Sequence, residues 1–303
     1  MTNKPNLFIV GAPKCGTTAL TEYLKKHPNV YMSSQKEPHY FACNFPKHRV
    51  VDSLLDYERL FEAAGPECKV VGEASALYMY SGSAIERIRE YNQDSRLIVM
   101  LRNPIDFVHS FHMQALYDGD EDQRDFKTAW NLQKERSQGK RIPPRCRAPA
   151  LLQYANMGSL GSQLARVYAI FPRHQVLVVI FDDFITQTSV CYRSVLHFLG
   201  LEDDGRSDFP PVNVNKAHRS FLLAQLAHYP PARLRQYWLW AKHRLGLRIA
   251  PGQWLRMANT RINAKRPMDP RFRNELKALF KPEILKLEVI LNRPLYHWYE
   301  PDA

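Results

Sequence analysis

The sequence feature that most constrains the fold is a short apolar segment that runs into a glycine-bounded loop. Residues 6–10 (NLFIV) are followed by Gly11, then by Gly16, and then by residues 17–26, which have a helical pattern. A short apolar run that ends at a glycine is typical of a parallel strand buried on both faces. Strand, loop and helix in this order predict an α/β domain.

Other strand-like segments alternate with helix-like segments along the chain. The predicted strands are residues 29–32, 69–72, 96–101 and 175–181, and the predicted helices are residues 57–63, 83–91, 104–117 and 188–199, the last capped by Gly200. This alternation predicts a P-loop-like, mostly parallel sheet flanked by helices on both faces.

We interpret residues 1–303 as a single domain that carries three additions to its sheet and flanking helices. The predicted additions are a polar surface excursion (residues 118–149), a basic helical lobe near the C-terminus (residues 221–249) and one or two closing helices (residues 270–298).

The loop keeps the glycine spacing of a Walker A motif, G-x-x-x-x-G-K-[ST], but not its lysine. Thr17 occupies the lysine position, and the loop's single lysine is Lys14. Successive backbone N–H groups at a helix N-terminus favour an anion whether or not the lysine is present. The loop is therefore either an anion site of another kind or a tight turn.

A second anion site is predicted after the segment 96–101. Arg102 follows this strand directly, and Ser110 lies about two turns along the helix that Pro104 opens. Ligands of open parallel sheets bind beyond the carboxyl ends of the strands, and a guanidinium suits bidentate phosphate contact. The alternative is that Arg102 is a surface residue and Ser110 fills a helix position.

The net charge of +12 is concentrated in one region of the chain. Residues 209–268 contain no Asp or Glu and 11 Lys and Arg residues. Such a basic stretch indicates an anionic partner. Three interpretations remain open: an acceptor-binding lid, peripheral membrane contact through residues 221–249 with Trp238 and Trp240 at the interface, or a solvated face. No nucleic-acid-binding module is recognisable, so we expect no nucleic acid partner.

Composition limits the other classes of function. No stretch approaches the roughly 18 apolar residues of a membrane span, and the N-terminus lacks the pattern of a signal peptide. The five cysteines are odd in number and match no metal spacing, so we expect no metal site and a reducing, cytoplasmic location. The oligomeric state is left open.

Several segments, in order, resemble one known family. "GAPKCGTTAL" resembles the 5′-phosphosulfate loop of sulfotransferases that use 3′-phosphoadenosine 5′-phosphosulfate (PAPS), and "RNPIDFVHS" resembles their 3′-phosphate motif. "QKEPHYF" is similar to the segment that carries the catalytic acid in heparan-type and bacterial members. "VNVNKAHRS" resembles their late nucleotide-binding loop, and "LNRPLYHW" their closing helix. The similarity extends from residue 7 to about residue 298.

The resemblance implies an enzyme that transfers a sulfuryl group from PAPS by in-line displacement and releases adenosine 3′,5′-bisphosphate. It implies a cation at the leaving oxygen, for which Lys14 is the candidate, and a general base, for which Glu37 is the candidate and His39 the rival. The residues expected to bind the nucleotide are Lys14, Cys15, Gly16, Thr17, Thr18, Ala19, Arg102, Ser110, Lys216 and Arg219.

The acceptor is the least determined part of this interpretation. Heparan enzymes usually carry an acidic residue just after the two aromatics, whereas "YFACN" has none, so the acceptor site is expected to differ. A carbohydrate or a small natural product with a hydroxyl or amine fits, in a cytoplasmic and bacterial setting. The rival functions are a P-loop kinase that uses ATP and a non-catalytic module that binds an anionic polymer or a membrane.

Overall fold

A five-stranded parallel sheet forms the centre of the computed structural model, which describes residues 4–212, 216–218, 236–237, 240, 260–262 and 267–300. The strands are β1 (Leu7–Gly11), β2 (Val30–Met32), β3 (Val70–Ala74), β4 (Arg96–Leu101) and β5 (Val176–Ile180). Their order is β2-β3-β1-β4-β5. Every residue of β1 is buried, as its apolar run predicts.

The described helices flank this sheet on both faces, so the predicted fold class is confirmed. They are α1 (Thr17–Leu24), α2 (Leu54–Arg59), α3 (Ala84–Tyr91), α4 (Pro104–Asp118), α5 (Phe126–Asn131), α6 (Gln133–Ser137), α7 (Tyr154–Gly158), α8 (Leu160–Ile170), α9 (Phe181–Thr186), α10 (Thr188–Leu199) and α11 (Pro270–Leu291). Short 3₁₀ turns lie at Pro46–His48, Pro149–Leu152, Arg173–Gln175 and Tyr296–Trp298.

The strand order places three strand ends side by side. β1 pairs with β3 on one side and with β4 on the other, so that Phe8 lies opposite Glu73 and Leu97. The chain leaves β1 towards β2 at one edge of the sheet and continues from β4 to β5 at the other edge. A crevice opens at the carboxyl ends of strands where the connections diverge in this way. Residues that follow β1, β3 and β4 are therefore brought together.

Local sequence signals account for several helix boundaries. The Asn103 side chain accepts a hydrogen bond from the Ile105 N–H at 3.0 Å and caps α4, with Pro104 in its first turn. Gly200 takes the left-handed conformation after α10, with φ 69°, as its predicted cap requires. Several predicted boundaries need correction by a few residues. α1 ends at Leu24 rather than at residue 26, α2 ends at Arg59 rather than at residue 63, and β3 extends to Ala74 rather than to residue 72. α2 begins at Leu54 because Ser53 caps it, and Phe181 belongs to α9 rather than to β5.

The prediction that residues 118–149 form a polar surface excursion is wrong in part. The segment contains α5 and α6, and its Arg136 and Glu121 side chains are fully buried against each other, with an N–O distance of 2.6 Å. The buried Tyr154 hydroxyl also donates to Glu121, at 2.6 Å. Two charges can leave water when they neutralise each other and their hydrogen bonds are satisfied, and this is how a polar sequence comes to be buried.

The predicted basic lobe, residues 221–249, lies largely outside the described residues. Lys216–His218, which precedes the lobe in the sequence, pairs with Thr260–Ile262, which follows it, as an antiparallel ribbon. Tyr237 and Trp240 are exposed, and their rings stack with centroids 5.7 Å apart. Within the described ranges, no helix combines the length and the apolar composition needed to span a bilayer. The C-terminal prediction resolves into one helix, α11, which has Pro282 inside it.

Candidate active site

The loop after β1 is shaped by glycine at both of its ends. Gly11 has φ 141°, and a Cβ atom there would lie 2.7 Å from the carbonyl oxygen of Ala76. Gly16 has φ 91° and is the N-cap of α1, without a side chain that caps the helix. Side chains are disfavoured at positive φ, and the close approach to Ala76 leaves no room for one. The sequence spacing G-x-x-x-x-G is therefore a geometric requirement of this loop.

Unpaired backbone donors are the main feature of this loop, which we call the anion loop (residues 11–19). Among the described residues, no acceptor takes the backbone N–H groups of residues 14–19. The first helix turn leaves such groups without partners, and here they follow one another at the positive end of α1. An anion at this position would satisfy them.

Lys14 is the cation of the anion loop. Its backbone is left-handed, with φ 62°, and its Nζ donates to Gln114 Oε1 at 3.1 Å. Burial lowers the pKa of Lys14; the charge of Asp118 opposes this effect, Lys36 and Arg102 add to it, and Glu37 again opposes it. The two carboxylates therefore favour the charged form of a lysine that is largely removed from water.

Arg102 and Ser110 lie beyond the end of β4, as the sequence motif places them. Arg102 Nη1 approaches the Lys14 carbonyl oxygen at 3.5 Å, and its guanidinium lies over the Phe181 ring, 4.6 Å from the centroid. Ser110 is buried in α4. A guanidinium that packs on an aromatic ring has a restricted orientation, which suits bidentate contact with a phosphate.

Glu37 and His39 form a pair in the next part of the site, which we call the acidic segment (residues 36–41). Both residues have left-handed backbones, with φ 50° and 52°. Glu37 Oε2 lies 3.4 Å from His39 Nε2; the Glu37 side chain is 39% exposed and that of His39 only 5%. Burial raises the pKa of Glu37, but the hydrogen bond and charge of His39, with Lys36 and His48, outweigh it. The net pKa lies below the ordinary value.

Gln114 and Asp118 are site residues that the sequence interpretation missed. Gln114 Nε2 donates to Asp118 Oδ1 at 3.0 Å, and Gln114 also accepts from Lys14. Burial raises the pKa of Asp118; the Arg147 charge and the Gln114 hydrogen bond lower it, while Asp120 and Glu37 raise it further. The spacing of Ser110, Gln114 and Asp118 by four residues, which puts all three on one helix face, could have identified them.

His48 is the other missed residue near the acidic segment. Its ring lies edge-on to His39, with centroids 6.4 Å apart, and its Nε2 is buried without a hydrogen-bond partner among the described residues. Burial lowers the pKa of His48 to about 4, and the nearby Arg147 charge adds to this effect. His48 is therefore neutral near pH 7. No pattern in the sequence connects it with His39.

The remaining predicted residues divide into buried, partly exposed and undescribed ones. Cys15, Thr17 and Ala19 are buried, whereas Gly16 and Thr18 are partly exposed. Burial raises the pKa of the Cys15 thiol to about 12, so this thiol is a packing group and any contact with a ligand is made by its backbone. Lys216 is described only in its backbone, within the antiparallel ribbon, and Arg219 lies outside the described residues.

The strand ends thus bring four kinds of group into one place. Lys14 and Glu37 interact electrostatically, and Asp118 interacts with both of them. A cation, a partly exposed carboxylate, a row of N–H donors and an arginine can together hold an anion and take a proton from a neighbouring group. In the described part of the chain, no His, Cys, Asp and Glu side chains cluster as metal ligands.

Parts of this sequence and its fold are similar to those of known proteins. The family model of the sulfotransferase domain matches residues 4–216. Carbohydrate sulfotransferase 15 from Homo sapiens is 30% identical over 150 residues, covering 36% of the chain and 27% of that protein. Heparan sulfate glucosamine 3-O-sulfotransferase 6 from Mus musculus is 33% identical over 112 residues, covering 37% of the chain and 31% of that protein. The chain spans less than a third of the length of these relatives.

A solved structure matches the chain over nearly its whole length. It is a sulfotransferase from Alicyclobacillus acidocaldarius, with a TM-score of 0.72 and 25% identity, covering 98% of the chain and 99% of the other chain. The similarity includes the parallel sheet that positions the anion loop and the acidic segment.

Proposed function

The chain belongs to the sulfotransferase family, whose model matches more than half of its length, and from this premise we propose that it transfers a sulfuryl group from PAPS to an acceptor hydroxyl or amine. The observation that supports this most is that Lys14 and Glu37 lie close enough to interact electrostatically. The two residues are 23 positions apart in the chain and interact electrostatically beside the unpaired N–H groups of the anion loop. A leaving-group cation and a base beside one anion site are what sulfuryl transfer needs.

The residues present fit the two ends of the proposed donor. The unpaired N–H groups of residues 14–19 would hold its 5′-phosphosulfate, with the hydroxyls of Thr17 and Thr18 beside them. Arg102 and Ser110 would hold the 3′-phosphate. Lys216 and Arg219 stay proposed contacts from the later loop. The donor supplies a sulfuryl group joined through a bridging oxygen to phosphate.

Lys14 and Glu37 have opposite tasks in this proposal. Lys14 Nζ would exchange its hydrogen bond to Gln114 for one to the bridging oxygen, where negative charge develops. Glu37 would accept the proton of the acceptor group. Its lowered pKa keeps it ionised at neutral pH but also weakens it as a base. That weakness is the reason to retain His39 as the rival base.

We propose a carbohydrate or a small natural product as the acceptor. The names of two relatives, a carbohydrate sulfotransferase and a heparan sulfate glucosamine sulfotransferase, favour a sugar hydroxyl. The 11 cations of residues 209–268 favour an acceptor that itself carries negative charge. Peripheral membrane contact through residues 221–249 and a cytoplasmic, bacterial setting belong to the same proposal.

The decisive experiment is transfer of radiolabelled sulfate from PAPS in the presence of EDTA. The acceptor panel consists of heparan sulfate, desulfated chondroitin, glucosamine and p-nitrophenol, and radiolabelled ATP is the parallel donor. We expect label on at least one acceptor from PAPS and none from ATP. Transfer from ATP that requires added magnesium would favour the kinase instead. Salt-sensitive polymer binding without any transfer would favour the binding module.

A further inference from the structure

A carboxylate outside the proposed catalytic set lies buried directly behind the acidic segment. Glu73 is on β3, with 1% of its surface exposed, and three hydroxyl groups donate to it. Ser75 Oγ donates to Oε2 at 2.6 Å, while the hydroxyls of Tyr78 and Tyr57 donate to Oε1 at 2.7 Å and 3.2 Å. We call these four residues the Glu73 cluster. Buried carboxylates are costly, and in the described part of the chain this one has no cation among its hydrogen-bond partners.

Two hydroxyls of the Glu73 cluster also hold the backbone of the acidic segment. The His39 backbone N–H donates to Ser75 Oγ at 3.0 Å, and the Phe41 backbone N–H donates to the Tyr78 hydroxyl at 3.3 Å. The His39 ring lies edge-on to Tyr78, with centroids 6.1 Å apart. The cluster therefore anchors both the backbone and the ring of His39, the residue that pairs with Glu37.

The Glu73 carboxylate, as a hydrogen-bond acceptor, explains the orientation of the Ser75 and Tyr78 hydroxyls. A hydroxyl has one proton, and an ionised carboxylate can only accept hydrogen bonds. The Ser75 and Tyr78 hydroxyls donate hydrogen bonds to Glu73. Their oxygen lone pairs are therefore free to accept hydrogen bonds from the backbone N–H groups of His39 and Phe41. Burial raises the pKa of Glu73 above its ordinary value; the hydrogen bonds of Ser75 and Tyr78, the charge of His39 and the hydrogen bond of Tyr57 reduce that rise without cancelling it. These hydrogen bonds favour the ionised form of Glu73, and the ionised form in turn orients the hydroxyls.

The anchored backbone is one that needs support. Glu37 and His39 are non-glycine residues at positive φ, a conformation that persists when surrounding contacts hold it. We infer that Glu73 is a positioning residue for the sulfuryl transfer proposed above: through Ser75 and Tyr78 it fixes the acidic segment so that Glu37 and His39 stay paired beside Lys14. This inference rests on the proposed function for its catalytic consequence.

Glu73→Gln tests the inference, because it keeps the size of the side chain but adds an N–H donor. The hydroxyl that faces this N–H must then turn its proton away from residue 73, which disturbs the geometry of its bond to the acidic segment. We expect kcat with PAPS and the acceptor found active to fall roughly 10–100-fold, since misplacement by about 1 Å can cost that much. The affinity for adenosine 3′,5′-bisphosphate stays unchanged. In a Glu37→Gln background, Glu73→Gln lowers kcat no further.

Tyr57→Phe is the matched control. It removes a hydroxyl that donates to the same carboxylate but makes no bond to the acidic segment, and it keeps the ring that stacks on Tyr40. We expect it to lose less kcat than the variants of the two anchoring hydroxyls. Ser75→Ala and Tyr78→Phe remove the two anchoring hydroxyls, and each reproduces the loss in kcat. These two variants decide the question if Glu73→Gln does not fold.

A second readout is independent of the acceptor. In ¹³C-carboxyl NMR of the wild type, Glu37 titrates below its ordinary value, and in Glu73→Gln its pKa rises towards that value as the His39 contact loosens. The charged or titratable groups that interact with Glu37 are Lys14, Lys36, His39, His48 and Asp118. All are kept in the variant, but Glu73→Gln also removes a carboxylate that interacts with His39. The same rise in the Glu37 pKa in Ser75→Ala and Tyr78→Phe, which keep that carboxylate, therefore reports geometry.

The outcomes separate the two proposals. The positioning role is overturned if Glu73→Gln folds, keeps wild-type kcat and leaves the Glu37 pKa unchanged. It is also overturned if Glu73→Gln lowers kcat by the same factor in the Glu37→Gln background as in the wild type. If the wild type transfers no sulfate, the proposed function fails, whereas the Glu37 titration still decides whether Glu73 holds the acidic segment.

Discussion

The anion loop and the acidic segment both place residues at positive φ, but they achieve it in different ways. In the anion loop, two of the residues at positive φ are glycines, Gly11 and Gly16, and the groups proposed to bind the ligand are backbone N–H donors. In the acidic segment, Glu37 and His39 themselves adopt positive φ, and buried hydroxyls in the turn that follows β3 hold the backbone of the segment at His39 and Phe41. The difference indicates that the proposed anion binding would depend on local backbone geometry, whereas the proposed proton transfer would depend on tertiary contacts. Loop variants should therefore alter nucleotide binding, and variants of the acidic segment should alter turnover.

Glu37→Gln is expected to have the largest effect on turnover. Loss of a general base costs typically ~10²–10⁴ in rate, so kcat should fall by that order. The affinity for adenosine 3′,5′-bisphosphate should not change, because the anion loop is intact. His39→Ala is the comparison variant. If it abolishes turnover while Glu37→Gln does not, His39 is the base.

Lys14→Met removes the charge from the anion loop but keeps the length of the side chain. We expect kcat to fall about 10²–10³-fold, the usual cost of losing a group that stabilises developing negative charge. Lys36→Met, which removes the exposed cation of the acidic segment, provides a control of equal charge change. A Lys14→Met enzyme with near wild-type turnover would remove Lys14 from the chemistry.

Arg102→Ala tests binding alone. Hydrogen bonds to charged groups contribute about 1.5–3 kcal/mol, so Kd for adenosine 3′,5′-bisphosphate should rise roughly 10–100-fold. Adenosine 5′-phosphosulfate, which lacks the 3′-phosphate, should lose little affinity. Isothermal titration calorimetry with both nucleotides measures the difference, and equal losses would place Arg102 away from the 3′-phosphate.

The pH profile of kcat distinguishes the two members of the Glu37–His39 pair. The pKa of Glu37 lies below its ordinary value of 4.5, so the carboxylate stays ionised as pH falls until that lower pKa is reached. With Glu37 as the base, kcat should change less than about twofold between pH 8 and pH 5. A steep loss of kcat within that range would exclude Glu37 and leave its rival, His39, as the base.

Cys15 should show the smallest effect, although it lies inside the anion loop. Its pKa of about 12 leaves almost no thiolate at pH 8, and the side chain is fully buried. We expect iodoacetamide to leave Cys15 unlabelled in the native protein and to label it after unfolding, as mass spectrometry would show. Rapid native labelling with loss of nucleotide binding would contradict the packing role.

The contrast between the two regions also explains how much could be predicted from the sequence. Gly11, Gly16 and the Arg102–Ser110 spacing are local patterns, and the strands next to them are continuous apolar runs, so the fold and the anion loop could be predicted. Gln114 and Asp118 follow Ser110 at four-residue steps and could have been identified from that spacing.

Other parts of the site could not be predicted, because their contacts join distant parts of the chain. The bond from Ser75 to His39 spans 36 residues, and the His39–His48 contact depends on how the turn after the acidic segment folds. Arg136 and Glu121 are buried against each other, so a packed region lies within a segment whose sequence is polar. Such contacts follow from tertiary packing and leave no periodic signal.

The most direct test of the central claim is calorimetric titration of the wild-type protein with adenosine 3′,5′-bisphosphate and, separately, with adenosine 5′-monophosphate. We expect the bisphosphate to bind at least tenfold more tightly, because the anion loop would hold one phosphate and Arg102 with Ser110 would hold the other. Equal affinity for the two nucleotides would contradict it.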